Sequence, residues 1–170
     1  MKTKPIHGLE AQRALLRNLS RELFQTEVSA ARHCRREARR NPGSPPAETL
    51  LLVAAHADAA LRELTELASL HGLPRSSFGM LLGALFSEAR ERVADHLIDA
   101  ERSYRGTLLG MRHGLDVMRM FGACATLAQY DGLSLWAESW LALREPLVDE
   151  AERQLAWFAL HADRALARAH

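Results

Sequence analysis

The stretch RSSFGMLLGALFSEARERVADHLIDAERSYRGTLLGMRHGLDVMRMFGACATLAQY, residues 75–130, holds no proline. Read as one helix, its roughly 56 residues would span about 84 Å at 1.5 Å per residue. The proline-free runs before it predict helices of only about 48 and 39 Å on the same rise. A compact domain cannot use such a rod, so the stretch has to divide. Our reading splits it into a short helix at 76–90 and a long helix at 92–129. The other place for a break is Ser103 to Gly106.

On the N-terminal side, NPGSPP at 41–46 interrupts any helix, and HGLP at 71–74 does so again. Between them the apolar spacing predicts a helix over 46–71, with Ser44 as its cap, proline in its first turn and Gly72 beyond its end. Before the first break, Leu15, Leu16, Leu19, Leu23, Phe24, Val28 and Ala31 recur at steps of three and four, which predicts an amphipathic helix over 9–40. Residues 1–8 read as a loose tail. On the other side, YDGLS at 130–134 is a turn and a last helix covers 134–167. Pro146 should kink that helix or start a new segment, because its ring removes a backbone donor. No strand pattern is present. The expectation is a single all-α domain over 9–168, a four-helix bundle of two helical hairpins joined by a crossover that carries a short extra helix. That connectivity is the ferritin-like one.

The whole-chain balance excludes several function classes. The 170 residues are 48% hydrophobic and 6% aromatic, and 22 Lys+Arg against 21 Asp+Glu leave a net charge of +1. A near-neutral chain is not an obvious nucleic-acid binder, and no aromatic residues interleave its arginines for base stacking. No run of about 18 apolar residues predicts a membrane helix. MKTKPIHGLE has no apolar secretory core, so a cytoplasmic protein is expected. Cys34 and Cys124 form no metal motif and read as buried thiols in a reducing compartment. No Gly-rich phosphate loop, nucleophile elbow or Ser-His-Asp set is visible, so no catalytic residue is expected.

Three segments carry a family resemblance: AAHADAALRELTELASLHGL, ERSYRGTLLGMRHGLDVMRMFG and WLALREPLVDEAERQLAWFA. Together they resemble the stress-associated ferritin-like proteins of bacteria, a group of small helical bundles. Ferritin-like metal proteins place a Glu on each of two helices and a Glu-x-x-His pair on the other two. Residues three apart share a helix face, so carboxylate and imidazole can meet one metal. This sequence has no Glu-x-x-His. The resemblance therefore implies a ferritin-like scaffold without its two-iron centre, and no metal or other cofactor is expected. Were iron, manganese or zinc to bind inside, His56 with Glu22 or Glu27 from the first helix and Glu145 or Asp149 from the last would be the ligands.

Other constellations have ordinary readings. Glu88, Glu91, Asp95 and Asp99, with His96 beside them, could hold a divalent cation, but Arg90, Arg92 and Arg102 make a solvated, charge-paired face the preferred reading. Glu145, Asp149 and Glu152 read the same way. His56 falls on an apolar side with Leu52 and Ala59, as a buried histidine satisfied by a carbonyl or carboxylate. Cys34 in RHCRREARR, 32–40, sits among cations that would lower a thiol pKa and make it reactive. Trp136 and Trp140, one turn apart, suit a core or an oligomer interface, with interface favoured for at least one.

The long helix carries two apolar stripes. Leu108, Met111, Leu115, Met118 and Gly122 form one; Gly106, Gly110, Gly114, Val117, Phe121 and Cys124 form the other, bordered by His113. Each glycine costs a helix about 1 kcal/mol relative to alanine. The reading is a helix buried on both sides, with a bulky Trp or Phe filling the glycine groove, so that Gly110→Leu would overpack it. The groove could instead admit a ligand, or the same helix of a second subunit across a two-fold axis. The functional expectation is a non-catalytic bundle acting through protein contacts as a homodimer. The alternatives are a metal- or small-ligand-binding bundle with a degenerate site, and a redox-responsive thiol protein.

Overall fold

Ser44 begins the second helix as its sequence predicts. It takes an extended backbone, φ −93° and ψ 154°, and its hydroxyl accepts from the Ala47 N–H at 3.3 Å while donating to the Asn41 carbonyl at 2.6 Å. Pro45 and Pro46 occupy the first turn, where a missing N–H leaves no hydrogen bond unmade. At the other end Gly72 adopts φ +61°, a left-handed conformation that glycine enters without a Cβ penalty. The Leu73 N–H then reaches back to the Ala68 carbonyl at 2.8 Å, closing the helix end.

The computed structural model describes residues 6–74 and 98–168. Within them run α1 (Ile6–Ala38), α2 (Pro45–Leu70), α3 (Ala100–Leu127), α4 (Asp131–Arg153) and two short helices, α5 (Leu155–Leu160) and α6 (Ala162–Ala165). No strand occurs among the described residues; Asp99 and Arg168 form an isolated bridge. The sequence-predicted helix at 76–90 and the acidic residues Glu88, Glu91 and Asp95, with His96, lie outside the described residues.

The four long helices pack in a ring. α1 lies against α2 and α3, and α4 lies against the same two. Directions follow from side-chain bonds. Glu37 near the end of α1 accepts from Ser103 near the start of α3 at 2.6 Å, and Glu22 sits 3.2 Å from His113 further along α3, so these helices are antiparallel. Thr49 accepts from Gln154 at 2.9 Å and Glu63 from Trp136 at 2.8 Å, which makes α2 and α4 antiparallel too. The chain leaves α2 beside α1's first half, where Ser20 donates to the Pro74 carbonyl at 3.3 Å. It returns at α1's far end, where Arg40 donates to the Ile98 carbonyl at 3.1 Å. Leu16, Leu23, Leu50, Leu64, Phe121 and Leu133 fill the shared interior.

Several boundaries differ from expectation. α1 already includes Ile6, His7 and Gly8, which read in the sequence as part of a loose tail. α3 starts at Ala100, not at 92 or at Ser103–Gly106, because Asp99 is extended (φ −63°, ψ 150°) and the Ala100 N–H bonds to the Ala167 carbonyl at 3.0 Å. A contact with the other end of the chain sets this break, so no local signal announces it. The YDGLS turn falls earlier, with Gln129 at φ +62° and α4 starting at Asp131. Pro146 does not interrupt α4. It and Ala142 are exposed, so water can take the carbonyl the ring leaves unbonded. The last predicted helix breaks instead at Gln154 and His161.

Candidate functional site

Two helices each bury a charged residue that reaches the centre of the bundle. On α4 the buried positions are Leu133, Ala137, Trp140, Arg144, Val148 and Ala151. On α1, Glu27 falls between Leu23 and Cys34 on the buried face. Across the diagonal of the bundle Arg144 Nη2 donates to Glu27 Oε2 at 2.7 Å, with each side chain 1% exposed. Arg144 Nε donates to His56 Nδ1 at 2.9 Å, and its guanidinium carbon lies 4.6 Å from the Trp140 ring centre. The guanidinium thus has an anion, a neutral imidazole acceptor and an aromatic face around it.

The electrostatics follow from burial. Desolvation raises the Glu27 carboxyl above its usual value, and Arg144 offsets part of that rise. The Trp140 N–H also favours the charged carboxylate, though it stands outside hydrogen-bond geometry; neither it nor Glu27 Oε1 completes a hydrogen bond among the described residues. His56 is lowered to about 4, first by burial and then by the nearby Arg144 cation. It is neutral at pH 7, as an acceptor for Arg144 must be.

This cluster does not fit the metal set considered from sequence. His56 and Glu27 do converge, but the Arg144 guanidinium lies bonded to both. Glu145 points the other way, pairing with Arg119 at 2.8 Å, because one residue along a helix turns the side chain by about 100°. Glu22 pairs with His113 near the α1–α3 surface, and Asp149 is exposed. Among the described residues no three His, Cys, Asp or Glu side chains gather as a ligand group. His56 is half-buried and satisfied by a guanidinium N–H, not by the carbonyl or carboxylate expected.

The glycine face resolves into two parts. Leu108, Met111, Leu115 and Met118 are buried as read, and so are Gly114, Val117, Phe121 and Cys124. Gly106 and Gly110 are not packed. A Cβ built on either meets nothing within 4 Å, so among the described residues no Trp or Phe fills the groove. Close approach occurs instead at Gly122, whose Cβ would lie 3.1 Å from Ala137 Cβ. Beside Gly106 and Gly110 opens a cavity of about 630 Å³ between α1 and α3. Arg36 and Arg102 line one end, Glu22 and His113 the other, and Cys34 and Met111 lie between them.

The remaining candidates are buried or half-buried. Trp140 is 3% exposed and packs on His56 and Arg144. Trp136 packs edge-on against Phe121, with ring centres 6.1 Å apart, and bonds Glu63. Trp140 is part of the interior, and Trp136 is half-buried, its N–H bonded to Glu63 at an exposed edge. Cys34 and Cys124 are free, buried thiols. Cys34 is the reverse of an activated thiol: burial pushes it up to about 12, and its Sγ lies 3.8 Å from Met111 Sδ. Of the cations of RHCRREARR, Arg35 pairs with Asp58 on α2, and its lowering of the thiol is the smallest of the effects on it, far outweighed by burial. Sequence reading passed over Arg144. The available signal was its place one step from Glu145 on the apolar stripe, matched by an acid on the apolar stripe of α1. No family model, curated protein or solved structure matches the chain.

Proposed function

We propose that this chain is a non-catalytic, ferritin-like four-helix bundle in which a guanidinium stands where the fold elsewhere holds metal, and that it works by binding, as a homodimer in the cytoplasm. The observation that carries this reading is the Glu27–Arg144–His56 group at the bundle's centre. It fills with a permanent cation the place where inward Glu and His side chains would hold metal ions. The path of the chain supports the scaffold: the first hairpin ends at one end of the bundle and the second begins at the other. Two free thiols suit a reducing compartment. Among the described residues no helix is long and apolar enough to cross a membrane. The stress-associated ferritin-like proteins of bacteria are the family this reading points to.

The homodimer rests on the outer surface of α2 and α4. Leu51 and Leu52 on α2 and Leu135 and Leu143 on α4 are all more than half exposed, on helices that neighbour each other. Large apolar side chains left exposed on neighbouring helices are candidates for an association surface. Two measurements test the proposal. Purified protein loaded with iron, manganese or zinc and then desalted is expected to retain only traces of metal; one or two ions per chain would overturn the reading of the centre. Light scattering is expected to give twice the chain mass, and a monomer at high concentration would remove the dimer.

A further inference from the structure

We propose that the cavity between α1 and α3 binds a small amphipathic carboxylate, its apolar body lying on the bed left open by Gly106 and Gly110 and its head held at the Arg102 end. This goes beyond the scaffold reading and does not depend on the metal content of the centre.

Four observations carry it. First, the cavity measures about 630 Å³, within the range of roughly 300–1,000 Å³ usual for small-ligand sites. Second, Gly106 and Gly110 stand inside a helix with ordinary backbone, where each costs about 1 kcal/mol. Neither has a close neighbour among the described residues, so packing among the described helices does not account for them. Their missing side chains are what keeps the space open. Third, the bed is largely carbon and sulfur. Cys34 and Met111 meet at its base, and Thr26 and Ser103 already donate their hydroxyls to the Leu23 carbonyl and to Glu37. Fourth, the charge is one-sided. Arg36 and Arg102 line one end, and Arg102 is exposed with no acid partner among the described residues. At the other end Glu22 is matched by His113 at 3.2 Å. Arg36 and Glu22 lie 14 residues apart on α1, about 21 Å of helix, so an elongated molecule suits the site better than a compact one. A guanidinium presents a planar pair of donors to a carboxylate, which selects the anionic head.

The test is calorimetric titration of the full chain with sodium decanoate, with decyltrimethylammonium and decanol as comparison arms. Saturable one-to-one binding of decanoate is expected, with clearly weaker binding of the other two. Arg102→Glu should weaken decanoate by about tenfold or more, the scale of one hydrogen bond to a charged group. The double variant Gly106→Leu/Gly110→Leu should abolish binding without lowering the thermal midpoint, since its side chains would project into empty space. Equal affinity for the cationic surfactant would overturn the head-group assignment. Undiminished binding in the leucine variant, or no saturable binding by the parent, would overturn the site. A fall in the variant's midpoint would show the glycines to be packed and would overturn it as well.

Discussion

Removing Arg144 tests the centre of this fold most directly. Arg144→Met keeps most of the side-chain volume but leaves Glu27, 1% exposed, without its counter-ion. Breaking a buried pair from one side costs about 3–5 kcal/mol, because the other charge stays buried and uncompensated. For a chain of this size, 1 kcal/mol shifts the midpoint by roughly 2–4 °C, so the variant should melt about 6–20 °C lower. The deficit should depend on pH. Without Arg144 nothing offsets the desolvation that already raises Glu27, so its folded pKa climbs further. A carboxyl raised in the folded state contributes stability below its unfolded pKa and loses it as pH rises. The deficit should therefore be largest at neutral pH and shrink as pH falls to about 4.5 and below, where Glu27 becomes protonated in the unfolded chain as well as in the folded one. The double variant Glu27→Leu/Arg144→Met should recover most of the loss, since an apolar replacement of a buried pair is often neutral or stabilising by about 1–4 kcal/mol. Urea unfolding of the parent, both single variants and the double variant completes the cycle. A loss under about 1 kcal/mol for Arg144→Met, or additive losses in the double variant, would refute the reasoning.

Other outcomes follow from the same geometry. His56→Gln isolates the histidine: its folded pKa of about 4 lies below the usual 6.5, so the parent should lose stability relative to the variant as pH falls from about 6.5 to about 4, read from urea midpoints across that window. Gly110→Ala should raise stability by about 0.4–1 kcal/mol, since a Cβ there meets nothing within 4 Å. Gly122→Ala should show no such gain, because its Cβ would press on Ala137 at 3.1 Å; equal thermal gains at the two sites would contradict the difference drawn between them. Alkylation of Cys34 by iodoacetamide near pH 8 should be much slower than that of a free thiol and recover in denaturant, given a thiol pushed up to about 12; rapid labelling of the native chain would contradict its burial.

Much of the scaffold was legible because its signals are local. Ser44 before two prolines and Gly72 after an apolar run specify their helix ends through chemistry within a few residues. The break at Asp99 was not legible, because what fixes it is the Ala167 carbonyl nearly seventy residues away in sequence. Pro146 misled for a related reason: its effect depends on whether water reaches the turn before it, which burial decides. Of the central site, His56 and Glu27 were singled out, but the choice between Arg144 and Glu145 turned on one step of helix phase. Charge type drew attention to Glu145 as a ligand, whereas the apolar period of Leu133, Ala137, Trp140 and Val148 selects Arg144. The open part of the glycine face was hidden because small-residue spacing reads alike for a packed seam and an empty one. The separation between α1 and α3 decides between them.

The Arg144–Glu27 bond also has a consequence for alignment. It joins the two helices that face each other across the diagonal, one from each hairpin. The surrounding interior is rich in alanine and leucine, and layers of such similar side chains can slide past one another and still bury carbon. A slip of one helical turn, about 5.4 Å, would separate guanidinium from carboxylate and strand both in a dry interior. The pair thus works as a vernier between the hairpins: of the nearly equivalent apolar alignments, it leaves a single one in which no charge is buried alone.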